Sequence, residues 1–478
     1  MNYETVIGLE VHVQLKTNTK AFCSCSTEFG NEPNSQVCPV CLGFPGVLPV
    51  LNKTALDYAI KAGLALGCKI SEYTKFDRKH YYYPDLPKNY QISQYDLPVA
   101  INGVVEIKSE NTTKKINIRR VHFEEDAGKL IHKSDYSLVD FNRSGMPLLE
   151  IVSQPEINSP QEAYDYLTVL KSIIEYLEVS DCDMEKGSLR CDANISLRPQ
   201  GAAELGVKTE IKNMNSFKGV KEALTFEISR QTEILNNGEA IVHETRLWDA
   251  KSCETFSMRS KEEAKDYRYF PEPDLPPFII SKNKIAEIKS TIPELPKEKI
   301  ERFVSQYQGV SSTTAGVLAI SRVNADFSEE CLKVYPKPDK RPMINWLIGP
   351  VLSAANDKNC YLKDLKVSPE NLAELADVLE QGEISNLTAK SVFLDMIESG
   401  KSARDIIKEK NLSQISDVKS LEDKADEVIK ENIKSVQDYK AGKVSAIMFL
   451  VGQVMKKTSG KANPKVVQEV LKRRLSDA

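Results

Sequence analysis

The chain has 478 residues, 41% of them hydrophobic and 28% charged, with a net charge of −4. That length exceeds a single ordinary core and implies roughly two to four domains. The balance is that of a soluble globular protein, carries no net-basic signature of nucleic-acid binding, and includes no apolar run long enough to span a bilayer. Residues 1–15 lack the basic start and apolar core of a secretory signal, so a cytoplasmic protein is expected.

The first element alternates with period two. Ile7, Leu9, Val11, Val13 and Leu15 share one face, and Glu10, His12 and Gln14 share the other, as in a half-buried strand. A carboxylate and an imidazole side by side can hold a divalent cation, although an amphipathic strand whose polar face meets water reads the same way. Next come Cys23-Ser-Cys25 and Cys38-Pro-Val-Cys41, with Gly30, Pro33 and Asn34 between them to turn the chain back. Two such pairs complete a tetrahedral thiolate site, so structural zinc is expected there rather than open-site chemistry. The other cysteines are scattered and read as reduced thiols.

Residues 52–67 have helical spacing and precede an aromatic and basic run, Lys75-Phe-Asp-Arg78-Lys79-His-Tyr81-Tyr82-Tyr83. Its tyrosines suit either base stacking beside cations or a self-packed loop. Residues 99–121 alternate like hairpin strands, with Asn102-Gly103 as the turn signal. They lead into Glu124-Glu125-Asp126, where successive acids need a cation or a basic partner. Glu150 lies in an apolar run and needs a partner for the same reason. A helix is expected over 160–178 and another over 219–237, ending near Gly238. Between them Arg190, Asp192 and Asn194 share one side of a strand, and Glu210 and Lys212 share one side of the next.

Antiparallel strands with interspersed helices make an α+β unit, a large mixed and mainly antiparallel sheet, through residue 292. Its cysteine-rich insert occupies 23–41. After Pro293 and Pro296 strand patterns give way to helical ones: 297–307, 314–321, 324–334, 342–354, 369–380 and 386–397 define an all-α domain over 293–405. A small all-α tail domain, 406–478, turns basic at Lys456, Lys457, Lys461, Lys472, Arg473 and Arg474, either to face a phosphate backbone or as an ordinary solvated surface.

Several motifs recur together: Gly8-Leu-Glu-Val-His12, Cys38-Pro-Val-Cys-Leu-Gly43, Phe76-Asp-Arg-Lys79, Tyr90-Gln-Ile-Ser-Gln-Tyr-Asp96, Glu124-Glu-Asp-Ala-Gly-Lys129, Gly187-Ser-Leu-Arg190, Glu210-Ile-Lys-Asn213 and Asp266-Tyr-Arg-Tyr-Phe-Pro-Glu-Pro-Asp274. In this order they resemble the B subunit of the bacterial aspartyl/glutamyl-tRNA amidotransferase, the GatB family, from residue 3 to the C-terminus. The resemblance implies a cradle-like catalytic domain, a helical domain and a YqeY-like tRNA-binding tail. It also implies ATP-dependent phosphorylation of the side-chain carboxylate of Glu-tRNA(Gln) or Asp-tRNA(Asn). Ammonia conducted from a glutaminase (amidase) A subunit then displaces the phosphate, and a small C subunit completes the heterotrimer.

By the resemblance Glu10, His12, Glu125 and Glu150 hold Mg2+, with Mn2+ also acceptable to the imidazole. Strand parity sets Glu124 beside His122 and Glu125 beside Phe123 and does not choose between the two acids, so Glu125 rests on the resemblance alone. Lys79 is expected to steady a phosphate or guide ammonia, and Asp192, Glu210 and Lys212 to lie toward the nucleotide. Lys472, Arg473 and Arg474 are the expected tRNA contacts. No Gly-x-x-x-x-Gly-Lys-Ser/Thr loop is present, so ATP binds without a P-loop, and no Gly/Ser-rich amidase signature appears. The rival classes are a metal-dependent RNA hydrolase and a non-catalytic tRNA-binding scaffold.

Overall fold

The computed structural model describes residues 2–109, 112–260, 267–412, 418–440, 443, 445–458, 462 and 464–476. It divides into two compact units, Met1–Leu295 and Pro296–Ala478. The strands of the first unit are β1 (Tyr3–Gln14), β2 (Lys69–Ile70), β3 (Tyr73–Thr74), β4 (Asp77–His80), β5 (Tyr90–Ser93), β6 (Ala100–Ser109), β7 (Thr112–Glu125), β8 (Lys129–His132) and β9 (Ser137–Asp140). They continue with β10 (Pro147–Ser153), β11 (Leu189–Pro199), β12 (Thr209–Met214), β13 (Glu244–Asp249), β14 (Glu254–Ser260), β15 (Phe270–Pro271) and β16 (Phe278–Ile279). Its helices are α1 (Lys53–Ala65), α2 (Pro160–Tyr176), α3 (Phe217–Asn236) and α4 (Lys282–Ser290).

Nine strands form one sheet in the order β14-β13-β12-β11-β1-β10-β7-β6-β2. Only the β12–β13 pair is parallel, and the other neighbours are antiparallel. The alternation of β1 decides its two faces. Ile7, Leu9, Val11 and Val13 are fully buried in one apolar cluster with Tyr166 and Leu170 of α2 and Val220 and Leu224 of α3. Each such side chain contributes about 1.5–3 kcal/mol, and Leu9→Ala would cost about 2–5 kcal/mol. Both helices start where a serine caps them: Ser159 accepts from Glu162 N at 3.1 Å and Ser216 from Gly219 N at 2.9 Å. With the helices on one face, the polar side chains of β1, β7, β10, β11 and β12 share the other.

The hairpin expectation for residues 99–121 is corrected in one respect. Asn102 and Gly103 do not make the turn; they lie within β6, which pairs with β7 out to Ser109↔Thr112. Asn102 has φ of +55°. A Cβ on Gly103 would stand 2.8 Å from Leu66 O and 2.3 Å from Cys68 Sγ, so close backbone approach, not a turn, requires this glycine. Opposite this point the register between β7 and β10 shifts by one residue: Val152 faces Arg120, while Ser153 faces Ile118. The extra residue reverses the alternation of β7. Ile116 and Ile118 reach the core before it, and Val121 and Phe123 after it.

The helices and turns of the second unit's described residues include no named strand. Helices from Pro296–Gln306 to Ala403–Glu409 bury a cluster that includes Phe303, Leu332, Leu347, Leu375 and Met396. A separate cluster around Leu421, Leu450, Val467 and Leu471 lies within helices Val418–Glu431, Ala446–Lys457 and Pro464–Ser476. The helix expected over 342–354 runs without a break as Arg341–Trp346, a π-turn over Leu347–Val351, and Leu352–Asp357. Pro350 sits inside the π-turn and has no N–H to donate, which breaks the regular ladder there.

Candidate active site

The register of four adjacent strands builds the site. Arg190, His12, Glu150 and His122 lie directly opposite one another across β11, β1, β10 and β7. The next row is Asp192, Glu10, Val152 and Arg120. Charged side chains of β1 therefore share one small area with those of strands more than a hundred residues away.

His12 Nε2 lies 3.5 Å from Glu150 Oε2 and 3.9 Å from Glu124 Oε1. His122 Nε2 lies 3.0 Å from Glu150 and 3.7 Å from Glu124. Ser93 of β5 donates to Glu124 Oε2 at 3.0 Å. The ligand atoms of His12, Glu124 and Glu150 all lie within 4.8 Å of one another. Burial disfavours charge on both imidazoles, yet Glu150 and Glu124 outweigh it, lifting His12 above its usual value and His122 to about 9. Reciprocally, Glu150 is held well below the ordinary carboxylate range against its burial, by His122 and His12. Glu124 is lowered too, against burial, by His122 and Lys79. One imidazole and two carboxylates are a donor set for a divalent cation that accepts oxygen and tolerates nitrogen. A cation there requires His12 to give up its proton.

The structure separates Glu125 from this group. Adjacent strand residues face opposite sides. Glu124 joins the acidic face, whereas Glu125 Oε1 accepts from Ile92 N at 2.9 Å and pairs with the ammonium of Lys88. Glu125 lines a pocket with Cys23, Cys41, Lys88, Tyr90 and Gly145. Of the expected ligands Glu10, His12, Glu125 and Glu150, the structure brings His12 and Glu150 together with Glu124, while Glu125 and Glu10 make other contacts. Glu10 lies one row away, where its Oε1 accepts from Asn194 Nδ2 at 2.9 Å. Burial raises its carboxyl, and Glu150, Asp192 and Glu210 raise it further.

Lys79 reaches the same face from β4. Its Nζ stands 5.1 Å from the ring centre of Tyr267 and 6.0 Å from that of Tyr81. Burial acts against its charge, but Glu124 and Glu150 prevail and raise it. Farther along, Lys212 bridges Asp192 and Glu210, 3.1 Å from the latter, and Glu210 also accepts from Thr245 Oγ1 at 2.9 Å. Arg190 pairs with Asp126 at 2.8 Å.

The aromatic run is packed by its own chain. Strand β15 pairs with β4, and Arg78 makes a two-pronged contact to Glu272 at 2.7 and 2.8 Å while lying over Tyr90. Tyr95 stacks on Tyr269 at 4.4 Å. Asp266, which opens the last motif, lies outside the described residues.

The four expected cysteines come together, with their sulfurs within 4.8 Å of one another. The Cys38–Cys41 Sγ separation is 3.9 Å, near the roughly 3.8 Å edge of a tetrahedron with 2.3 Å metal–sulfur bonds. Cys38 N–H points at Cys41 Sγ at 3.2 Å, and the fully buried Lys20 places Nζ 3.7 Å from the same sulfur. Cys41 is pushed down to about 4 by its contact with Cys23, against burial, helped by Cys38 and Lys20. The residues therefore fit a tetrathiolate metal with a compensating cation behind it.

In the tail several of the cations are engaged within the chain. Arg473 and Arg474 meet Glu422, and Arg474 lies 3.2 Å from Asp426; Lys457 pairs with Glu427 at 3.1 Å and Glu431 at 2.6 Å. Lys461 is outside the described residues.

Sequence reading gave no site role to His122, Arg120 or Lys20, and named Asp126 only as one of three successive acids that need a partner. His122 precedes Glu124 by two residues, the same pairing as Glu10 and His12, and that repeat was a usable signal. Nothing in the linear order pointed to Lys20 or Arg120.

A family model described as the GatB/GatE catalytic domain matches residues 5–286, and one described as the GatB domain matches residues 326–475. The chain belongs to the GatB family. A protein of Carboxydothermus hydrogenoformans, named as the B subunit of aspartyl/glutamyl-tRNA(Asn/Gln) amidotransferase, is 56% identical over 479 residues, covering 99% of each chain. Proteins of the same name from Caldanaerobacter subterraneus subsp. tengcongensis, 54% identical over all of both chains, and Brevibacillus brevis, 52% identical over 98% of this chain and 99% of its own, are similar.

Proposed function

We propose that this chain is the carboxylate-activating subunit of the tRNA-dependent amidotransferase, and that the His12, Glu124 and Glu150 face carries the phosphoryl transfer. The observation supporting it most directly is that cluster itself, with ligand atoms within 4.8 Å of one another. A side-chain carboxylate of Glu-tRNA(Gln) or Asp-tRNA(Asn) attacks the γ-phosphorus of ATP, the bond to the β-phosphate oxygen breaks, and ADP leaves. Ammonia then attacks the acyl carbon, phosphate departs, and a proton passes to solvent. Both reactants of the first step are anions, so charge must be offset. Mg2+, or Mn2+ in its place, supplies that neutralisation and alignment when held by His12, Glu124 and Glu150.

The chain's own residues do the rest. His122 donates to Glu150 and keeps both carboxylates oriented. Lys79, charged and close to them, offers an ammonium to an incoming phosphoryl oxygen. Lys212, fixed between Asp192 and Glu210, borders the same face and suits the nucleotide side. The four cysteines hold a structural zinc. The proposed division is a cradle over 1–292, a helical domain over 293–405 and a tRNA-binding tail over 406–478 carrying Lys472, Arg473 and Arg474. The glutaminase and the small third chain complete the heterotrimer.

The test uses the assembled complex, γ-labelled ATP, magnesium and Glu-tRNA(Gln), with no amide donor. Label should appear on the glutamyl-tRNA with wild type and vanish with Glu150→Ala. Label that persists in Glu150→Ala would remove the face from the reaction, and none in wild type would leave the chain with a binding role only.

A further inference from the structure

Arg120 brings a guanidinium to the acidic face without an ion pair among the described residues. The register shift that reverses β7 sets it on the same side as His122 and Glu124, in the row of Glu10 and Val152. Its neighbours' carboxylates are turned elsewhere. Glu10 accepts from Asn194, and Glu150 lies against His12 and His122. Among the described residues Arg190 and Arg143 pair with Asp126, and Lys212 with Asp192 and Glu210. The Nε of Arg120 is buried and has no hydrogen-bond partner.

A guanidinium cannot shed its proton to escape such a position, and a buried donor left unmade costs about 1–3 kcal/mol. A bulge that delivers a charged side chain beside a cluster of metal-type ligands is a feature to be explained by what the side chain meets. Arg120 stands one residue pair along β7 from His122, about 7 Å by strand geometry, with the small apolar Val152 opposite it. The group it suits is an oxyanion, and the two-pronged geometry of a guanidinium matches phosphate.

We propose that Arg120 binds the phosphate chain of the nucleotide on this face. The inference rests on the phosphoryl-transfer reading above and names the residue that grips its donor.

The experiment compares wild type, Arg120→Met, Arg120→Lys and Arg120→Ala in the assembled complex. It measures the KM for ATP and for aminoacyl-tRNA, and the inhibition constant of inorganic tripolyphosphate. Loss of a hydrogen-bonded charge should raise the ATP KM and the tripolyphosphate constant about 10- to 100-fold in Arg120→Met, with the aminoacyl-tRNA KM changed about twofold at most. Arg120→Lys should recover part of the loss, and added guanidinium ion should partly rescue Arg120→Ala. An unchanged ATP KM overturns the proposal, and so does a shift confined to aminoacyl-tRNA, which would give Arg120 to the substrate carboxylate. If wild type transfers no label, the functional reading fails; tripolyphosphate binding to wild type and Arg120→Met still tests the arginine.

Discussion

Glu124 and Glu125 are neighbours in sequence and sit in different environments, so paired amide substitutions separate two roles. Glu124→Gln removes one unit of negative charge about 4 Å from His12 Nε2 and breaks the three-residue donor set. The carboxylate lost is one that would face the cation itself, since His12 is neutral when it ligates, and ligand reorganisation and hydration of the ion return part of the lost attraction. A net loss of about 3 kcal/mol in Mn2+ binding, roughly a hundredfold in affinity, is expected. Glu125→Gln instead strips the carboxylate partner from the half-buried Lys88. That should cost about 3–5 kcal/mol of stability while leaving Mn2+ affinity within about threefold. Titrating Mn2+ by electron paramagnetic resonance, with thermal unfolding of each variant, reads both effects. Equal loss of Mn2+ in the two variants, or normal binding by Glu124→Gln, would refute the assignment.

Chelation of zinc, or Cys41→Ser, should loosen the knuckle and lower the unfolding temperature of the first unit, and Lys20→Met should weaken zinc against a competing chelator about 10- to 100-fold. In the second unit Arg302 and Lys333 hold Glu329 down to about 2 from its usual 4.5. The folded value is depressed, so the stabilisation is complete above pH 4.5 and disappears as pH falls toward 2. Acid titration of unfolding should show about 1–2 kcal/mol of it, screened by solvent, and Glu329→Gln should lack that slope. Charge reversal at Lys472, Arg473 and Arg474 should weaken tRNA binding and flatten its salt dependence. Conversely, Glu422→Gln with Asp426→Asn, which releases Arg473 and Arg474, should strengthen it; no change in either set would remove these cations from tRNA recognition.

Much of the site could be read along the chain because each strand carries its own alternation. Glu10 and His12 announce a polar face, Glu150 stands out as an acid in an apolar run, and the spacing of Cys23, Cys25, Cys38 and Cys41 identifies a tetrathiolate. The α+β unit followed by helices was legible for the same reason, since periods of 2 and 3.6 residues are local properties. Parity did not choose between Glu124 and Glu125 because it relates a residue to its own strand only. Which face looks at His12 depends on the partner strand β10 and its register.

Local residue types therefore decided which segments became strands and helices, which side of each strand was apolar, and where four cysteines would gather. Tertiary pairing decided which polar residues meet. The row Arg190, His12, Glu150 and His122 is set by hydrogen-bonded register between strands whose separation in sequence leaves no local trace. The bulge that turns Arg120 to the acidic face is likewise a mismatch between β7 and β10, and a mismatch exists only once two strands are side by side.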